Sequence, residues 1–309
     1  MIHTVTFSPS LDYVMDVAEI EAGAINRSAG EQIFPGGKGV NIAIVLGRFG
    51  VPCRALGFSA GLTGQSLRSL LLGLGVHTDF IELPAGETRI NVKLATRPET
   101  AINGQGPAIP TSALNRLFAK LGELQRGDTL ALAGAVPDSL SDDIYETIMA
   151  RLKPRGVRLV VDATGDLLRK TLPHRPFLIK PNGEELGALF GATIDSPESA
   201  ARYAAAAQRL GARHVLVSLG GQGAVLVTED GSALRGRVPA GQLVNSVGAG
   251  DSVVAGFLAG LQATDDLSHA FQLGLAAGSA AAFNSWLPSR PAIEKLYPHV
   301  TITELETPS

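Results

Sequence analysis

One carboxylate, Asp251, stands where a glycine-rich turn, Gly248-Ala249-Gly250, runs into a long stretch of small apolar residues. Backbone N–H groups of such a turn at a helix N-terminus can converge on an anion such as phosphate. Asp251 is itself negative, so it is poorly placed to bind that anion, but it can accept a proton from a hydroxyl that attacks it. Phosphoryl transfer requires both hydrogen-bond donors that stabilise the negative charge of the phosphate and a base that accepts the proton of the attacking hydroxyl. A helix-capping Asp is the alternative, and it leaves the three small residues before Asp251 unexplained.

The stretch GGKGVNIA at 36–43 combines glycines with two hydrogen-bond donors. Gly37 lets the backbone approach a ligand closely, and Lys38 and Asn41 lie on one face of the helix predicted to start there. The spacing is not that of a P-loop, because Gln32 and Gly39 occupy the positions that require Gly and Ser or Thr. A plain loop-to-helix turn is the alternative interpretation.

A polar pair follows a predicted strand in IKPNGEEL at 179–186. The strand ends at Lys180, and Asn182 begins a helix on which Glu185, three residues later, shares its face. An amide and a carboxylate in this arrangement could hold Mg²⁺ through its waters, because Mg²⁺ keeps much of its hydration shell. A capping box explains the same spacing.

Ser218 and Gly220 follow another predicted strand, in VSLGGQGA at 217–224. Loops at the carboxyl ends of parallel strands line the ligand crevice of α/β proteins, so these two residues could contact a nucleotide. A turn between two strands is the alternative.

Charged residues also mark two short segments near the start of the chain. Arg89 and Lys93 alternate to the same side of a predicted strand, where two cations would suit a phosphorylated substrate. Asp12 follows the first strand, where its carboxylate could accept hydrogen bonds from sugar hydroxyls. Alternatively, Arg89 and Lys93 are solvated charges that protect a strand edge. Asp12 could likewise be a turn-forming residue.

The elements that must position these residues form an α/β pattern. Strands and helices alternate from about residue 107 onward, which predicts a mostly parallel sheet covered on both faces within a single domain, 1–309. Segments 10–34 and 85–106 interrupt the alternation and are predicted to form a small antiparallel flap. The most apolar window, 247–283, contains charged residues and predicts two packed helices rather than a membrane span.

The bulk composition excludes several classes of protein. The 309 residues carry a net charge of −3, so no basic excess indicates a nucleic-acid surface. The single cysteine, Cys53, excludes a disulfide framework and a cysteine-based zinc site. The opening residues do not resemble a signal peptide. We therefore expect a cytoplasmic protein that binds neither nucleic acid nor membrane.

The motifs GGKGxNxA, KPNxxEL, VSLGxxGA and xGAGDS, taken in this order, resemble the PfkB/ribokinase family of carbohydrate kinases from residue 2 to about 285. The resemblance implies a ribokinase-like three-layer α/β/α domain with a small β-sheet lid, and such lids commonly pair two subunits as a homodimer. It also implies ATP and Mg²⁺ as cofactors and a small sugar phosphate as acceptor.

The resemblance further implies a role for each position that matches the family motifs. Asp251 matches the catalytic base, and Gly248, Ala249 and Gly250 match the anion hole. Lys180, Ser218 and Gly220 match nucleotide contacts, while Asn182 and Glu185 match the residues that organise Mg²⁺. Asp12, Gly37, Lys38 and Asn41 match the sugar site. On the lid, TRINVKL is most similar to members that phosphorylate fructose 1-phosphate, with Arg89 and Lys93 as ligands of the substrate phosphate.

Three departures from the family pattern affect the acceptor. AGAVP at 133–137 replaces the usual SGSLP, TAIN at 100–103 replaces TEIN, and SPSLD replaces NPSLD. The base and the anion hole are retained. Tagatose 6-phosphate and fructose 6-phosphate stay open as acceptors, and a non-catalytic sensor of sugar phosphate and nucleotide is the alternative from another class.

Overall fold

The computed structural model describes residues 1–94, 96 and 100–305, which form fourteen strands and ten α-helices. The strands are β1 Ile2–Thr6, β2 Ser10–Asp16, β3 Gly30–Gly36, β4 Cys53–Ser59, β5 His77–Glu82, β6 Arg89–Leu94, β7 Thr100–Asn103, β8 Thr129–Ala133, β9 Arg158–Asp162, β10 Leu178–Ile179, β11 His214–Ser218, β12 Ala224–Val227, β13 Ala233–Arg237 and β14 Thr301–Glu304. The α-helices are α1 Lys38–Arg48, α2 Gly61–Gly73, α3 Thr111–Leu121, α4 Ile144–Leu152, α5 Gly165–Thr171, α6 Gly183–Phe190, α7 Pro197–Arg209, α8 Ala249–Thr264, α9 Leu267–Ala282 and α10 Arg290–Leu296.

The large sheet has the strand order β14-β13-β12-β11-β10-β9-β8-β1-β4-β5. Every pair from β11 to β5 is parallel, and β12, β13 and β14 are added in antiparallel fashion. The predicted mostly parallel sheet is therefore confirmed. Parallel strands bring their carboxyl ends to one edge, which is where α/β proteins bind ligands.

Helices cover both faces of this sheet. Successive side chains of β8 point alternately into the cores on its two faces. Leu130 and Leu132 pack into the core that contains α3, α4 and α7, whereas Ala131 and Ala133 pack into the core that contains α1, α8 and α9. Strands buried on both faces carry continuous apolar runs, as β8 does. The predicted three layers are present.

The small sheet has the order β3-β2-β6-β7 and corresponds to the two predicted flap segments; we call it the lid sheet. The prediction that it is antiparallel is wrong for its central pair, because β2 and β6 are parallel. The reason is that β2 continues from β1 and β6 from β5, and both of those strands run in the same direction in the large sheet. Residues 95 and 97–99 of the second segment lie outside the described residues.

The two helices predicted in the apolar window are α8 and α9, and they pack closely. A Cβ added at Gly256 would lie 2.7 Å from the carbonyl oxygen of Leu273, and one at Gly274 would lie 2.8 Å from that of Val253. Only glycine permits backbones to approach so closely. No helix in the described ranges combines the length and apolar character needed to cross a bilayer.

Candidate active site

The glycine-rich turn and Asp251 form the first turn of α8, as the sequence predicted. Gly248 is the N-cap residue with φ 78°, in the left-handed region that favours glycine. The N–H groups at the start of a helix have no acceptor one turn earlier within the helix. That of Ala249 donates to the carbonyl oxygen of Ser246 at 3.3 Å, in the loop before α8, and that of Gly250 is the next that the turn can offer to an anion.

Asp251 is buried and is held by a residue from a distant motif. The side chain of Asn41, on α1, donates a hydrogen bond from Nδ2 to Asp251 Oδ2 at 2.8 Å. Burial and the nearby charge of Asp162 raise the pKa of Asp251, whereas Lys38, the Asn41 hydrogen bond and Lys180 lower it, and the net result is a pKa of about 6. A carboxylate with such a pKa is ionised at neutral pH and can accept a proton from a hydroxyl.

Asp162, at the carboxyl end of β9, is a residue that the sequence analysis missed. Lys38 Nζ donates to Asp162 Oδ1 at 3.1 Å, and Lys180 Nζ lies 3.5 Å from the same oxygen. The side chain is 1% exposed, and Oδ2 has no hydrogen-bond partner among the residues that the structure describes. Burial lowers the pKa of Lys38, but the carboxylates of Asp162 and Asp251 raise it more, so the net direction is upward. The only sequence signal is a charged residue that ends a buried strand.

Lys180 lies directly under the glycine-rich turn. It is 4% exposed, and a Cβ added at Gly250 would lie 3.1 Å from its Nζ. The ammonium group and the first turn of α8 therefore face the same region, which places positive charge beside the candidate anion hole.

Asn182 and Glu185 form the capping box that was one of the two interpretations of their spacing. Asn182 Oδ1 accepts from the Glu185 N–H at 2.7 Å, and Glu185 Oε2 accepts from the Asn182 N–H at 2.8 Å. Glu185 also lines a cavity of about 390 Å³ together with Lys38 and Asp162. The capping geometry thus turns Glu185 toward the same cavity as Asp162.

This cavity has donors that fit Mg²⁺. The unpartnered Oδ2 of Asp162 and the carboxylate of Glu185 are hard oxygen donors, which Mg²⁺ prefers. The described residues contain no group of three or more His, Cys, Asp or Glu that could hold a metal by themselves. One or two carboxylates suffice where the ion keeps its waters and binds phosphate.

The two motifs predicted to contact a nucleotide lie side by side. Ser218 ends β11, and its N–H donates to the carbonyl of Pro181 at 3.1 Å, while Asn182 forms a bridge with Ser218. Gly220 follows with φ 58° and open space around its Cα. Both loops stand at the carboxyl edge of the large sheet.

Asp12 lies on β2 of the lid sheet, within a network of hydrogen bonds. Ser10 Oγ and Asn91 Nδ2 donate to Asp12 Oδ1 at 2.8 and 3.0 Å, and Lys93 Nζ donates to Asp12 Oδ2 at 2.7 Å. Asp12, Lys93 and Asn41 line a second cavity, of about 310 Å³. Since Asn41 also binds Asp251, this cavity adjoins the candidate base. Ser10 and Asn91 were not among the predicted site residues.

Arg89 and Lys93 point from the same side of β6, but the structure does not bring them into one cavity. Arg89 Nε donates to the carbonyl of Ser8 at 3.1 Å, and the side chain faces Pro9 and Gly106.

Gly37, with φ 109°, begins α1 and lies against Thr6, so that Lys38 and Asn41 follow in the first turn.

Comparison with known proteins decides the family. Residues 5–285 match the model of the pfkB family carbohydrate kinases. The chain belongs to the pfkB family. This pfkB kinase is 45% identical over 305 residues to the 1-phosphofructokinase of Bacillus subtilis, covering 99% of this chain and 100% of that protein. It is 31% identical over 306 residues to the D-tagatose-1-phosphate kinase of Bacillus licheniformis, covering 99% and 100%.

A solved structure agrees with the architecture. Phosphofructokinase-2 from Escherichia coli, in complex with substrates and products, matches this pfkB kinase with a TM-score of 0.91 and 29% identity, over 96% of this chain and 98% of that one. The expected ribokinase-like fold and the expected class of enzyme, an ATP-dependent carbohydrate kinase, are thereby confirmed.

Proposed function

We propose that this pfkB kinase transfers the terminal phosphoryl group of ATP to O6 of D-fructose 1-phosphate, giving fructose 1,6-bisphosphate. The observation that carries the proposal is the buried Asp251, which follows the glycine-rich turn and binds Asn41 at 2.8 Å beside the cavity that Asp12 and Lys93 line. Both curated relatives have names that refer to a ketose 1-phosphate. This agreement supports an acceptor phosphorylated at C1.

Asp251 accepts the proton of the O6 hydroxyl as that oxygen attacks the phosphorus. Asn41 orients the carboxylate by its hydrogen bond, and burial keeps the pKa near the working pH. The N–H groups of the Gly248-Ala249-Gly250 turn would donate to the transferring phosphoryl oxygens, that of Ala249 by exchanging its bond to the Ser246 carbonyl oxygen, and Lys180 beneath the turn offsets the negative charge of those oxygens.

The remaining residues bind the two substrates. Lys180, Ser218 and Gly220 contact the nucleotide. Gly37, Lys38, Asn41 and Asp12 line the sugar site, where Asp12 accepts from sugar hydroxyls and Lys93 binds the phosphate at C1. Arg89 would join Lys93 only if its side chain left the Ser8 carbonyl oxygen.

Asp162 and Glu185 would hold Mg²⁺, with Asn182 orienting Glu185 through the capping box. The ion, when bound, neutralises charge on the nucleotide phosphates. Replacing Glu185 by Gln should therefore raise the Mg²⁺ concentration required for half-maximal rate. An unchanged Mg²⁺ titration would leave Glu185 as a capping residue only.

We further propose that the single kinase domain, 1–309, is cytoplasmic and forms a homodimer through the lid sheet. The face of the lid sheet opposite Asp12 carries exposed apolar residues, including Ile33, Ile90 and Ile102 at 48%, 41% and 62% exposure. A small sheet with an open apolar face requires a cover. A second copy of the chain would supply it.

A panel of acceptors tests the proposed reaction. ATP consumption is measured with fructose 1-phosphate, tagatose 1-phosphate, fructose 6-phosphate and tagatose 6-phosphate, and the product is identified. We expect the highest kcat/KM for fructose 1-phosphate. A higher kcat/KM for fructose 6-phosphate or tagatose 6-phosphate would contradict fructose 1-phosphate as the acceptor, but the assignment as a kinase would stand. Binding of sugar phosphate and nucleotide without turnover would identify a sensor.

A further inference from the structure

The ion pair between Lys93 and Asp12 joins the two residues that the proposed function assigns to different parts of the acceptor. Lys93 Nζ lies 2.7 Å from Asp12 Oδ2, and the two side chains are only 16% and 13% exposed. Both residues line the cavity that also contains Asn41. The phosphate-binding cation and the hydroxyl-binding carboxylate therefore neutralise each other.

We infer that this ion pair closes the sugar site to sugars that carry no phosphate, and that a sugar phosphate opens it by exchanging both partners. The inference rests on the proposed function and deepens it. It makes Lys93 a specificity-determining residue, since its ion pair with Asp12 is what excludes neutral sugars.

The network around Asp12 supports this interpretation. Ser10 donates to Asp12 Oδ1 and accepts from Asn91 Nδ2 at 3.1 Å, while Asn91 donates its other amide hydrogen to the same carboxylate oxygen. The orientation of the Asn91 amide is fixed by chemistry, because a carboxylate only accepts hydrogen bonds. Oδ1 of Asp12 is thus held within the lid sheet, and Lys93 occupies Oδ2.

The energetics favour a ligand that replaces both partners. Separating a largely buried ion pair leaves two desolvated charges, which is strongly unfavourable unless each finds a new partner. A neutral hydroxyl can donate to Asp12 but offers Lys93 no counter-charge. A phosphate at C1 offers Lys93 a strong charged acceptor, and a hydroxyl of the same molecule then donates to Asp12. Binding of fructose alone would leave the positive charge of Lys93 without a partner. The ion pair therefore selects fructose 1-phosphate both by attracting its phosphate and by making the binding of neutral fructose unfavourable.

The test compares fructose 1-phosphate with fructose as acceptors in Lys93→Met, which has a similar shape and no charge. We expect kcat/KM for fructose 1-phosphate to fall about 10- to 100-fold, the range of one charge-assisted hydrogen bond. We expect kcat/KM for fructose to rise several-fold, because Asp12 Oδ2 becomes available to a hydroxyl. Lys93→Arg, which keeps the charge, should retain most of the wild-type preference.

A matched control removes an ion pair of the same length elsewhere. Lys120 Nζ lies 2.7 Å from Asp79 Oδ1, in a pair between α3 and β5 that contacts none of the site residues described above. Lys120→Met should leave the preference for fructose 1-phosphate over fructose unchanged. If Lys93→Met does not fold, Lys93→Gln serves as the second uncharged variant, and thermal melting identifies the folded ones.

The outcomes separate this inference from the proposed function. If the folded, uncharged variants lose activity with fructose 1-phosphate and gain none with fructose, Lys93 is a phosphate ligand only and the inference is overturned. If the wild type prefers another sugar phosphate, the proposed acceptor is wrong. The same comparison is then made between that sugar phosphate and its parent sugar, and a gain with the parent sugar still supports the inference.

Discussion

At the scale of single residues, the buried carboxylate of Asp251 links the proposed chemistry to the stability of the fold. Burial raises its pKa from the ordinary 3.8 to about 6. A raised folded-state pKa means that the protonated form stabilises the fold. That contribution is full below about pH 4 and is lost as the pH rises through about 6. The ionised base therefore weakens the folded state at the pH at which it is needed.

Asp251→Asn should consequently be inactive but more stable at high pH. We expect kcat to fall at least about 100-fold, with little change in the KM for ATP, because a general base contributes about 10²–10⁴-fold. The free energy of unfolding at pH 8 should exceed that of the wild type by up to about 3 kcal/mol. At pH 4 the two proteins should be nearly equal. Urea unfolding at both pH values measures this, and a variant less stable than the wild type at pH 8 would contradict the prediction.

Gly36 is required by the network on the lid sheet. A Cβ at this position would lie 2.5 Å from both Asp12 Oδ1 and Ser10 Oγ, and Asp12 is fixed by three hydrogen bonds. We expect Gly36→Ala to raise the KM for the sugar phosphate at least about tenfold, as expected for loss of a charge-assisted hydrogen bond. The KM for ATP should stay within about twofold.

The same strand offers a control for this prediction. At Gly30, the start of β3, no atom of the described residues lies within 4 Å of an added Cβ. Gly30→Ala should leave both KM values unchanged. Equal effects of the two substitutions would mean that β3 tolerates neither, and that the Asp12 network is not the cause.

The site shows what sequence could and could not predict about single residues. Asp251, Asn41 and Lys180 were singled out because each belongs to a motif with an unusual local spacing, and the structure places Asn41 against Asp251 and Lys180 beside Gly250. Asp162 was missed because a carboxylate after a strand is common in turns. Its role becomes visible only when Lys38, 124 residues away, donates to it.

At the scale of elements, the close packing of α8 against α9 fixes the start of α8 and hence Asp251. A Cβ at Gly256 would lie 2.7 Å from the Leu273 carbonyl oxygen and 2.9 Å from Ala277 Cβ. We expect Gly256→Ala to reduce the free energy of unfolding by about 1–3 kcal/mol, since overpacking of a core costs about that much. It should also lower kcat, because the helix must shift.

Gly47→Ala is the control for this helix prediction. Gly47 lies within α1, and within the described part of the chain no atom comes within 4 Å of an added Cβ, so the substitution should stabilise the protein by up to about 1 kcal/mol. Denaturant unfolding of both variants distinguishes a packing effect from a general effect of alanine. If Gly256→Ala and Gly47→Ala stabilised the protein equally, α8 and α9 could move apart without a loss of folding free energy.

The topology of the lid sheet could not be predicted from the sequence. Segments close in the chain usually pair as antiparallel hairpins, and β2–β3 and β6–β7 do so. The parallel pairing of β2 with β6 joins segments about 80 residues apart and depends on how β1 and β5 lie in the large sheet. The edge strands β5 and β14 were also not predicted, because their mixed polarity resembles that of loops.

At the scale of the whole molecule, the open apolar face of the lid sheet predicts self-association. The wild type should have twice the mass of one chain in light scattering at micromolar concentration. Replacing Ile90 and Ile102 together by Glu should yield the mass of one chain, because charges on an apolar interface are unfavourable. A wild-type mass of one chain at every concentration would contradict the dimer.

A surface control accompanies this substitution. Leu210 is 48% exposed at the end of α7, on a different part of the surface. Leu210→Glu should leave the mass unchanged. Loss of the dimer in both variants would indicate a general effect of added charge rather than an interface at the lid sheet.

The joint between the lid sheet and the body contains the one tryptophan of the sequence, Trp286. Its ring stacks on Phe34 of β3 at 4.9 Å between centroids, and the Arg48 guanidinium lies 4.9 Å from its centre. Any movement of β3 relative to the body must change the surroundings of this indole. Its fluorescence can therefore follow the lid sheet during turnover without an added label, so that any movement of this sheet and phosphoryl transfer can be timed separately in one sample.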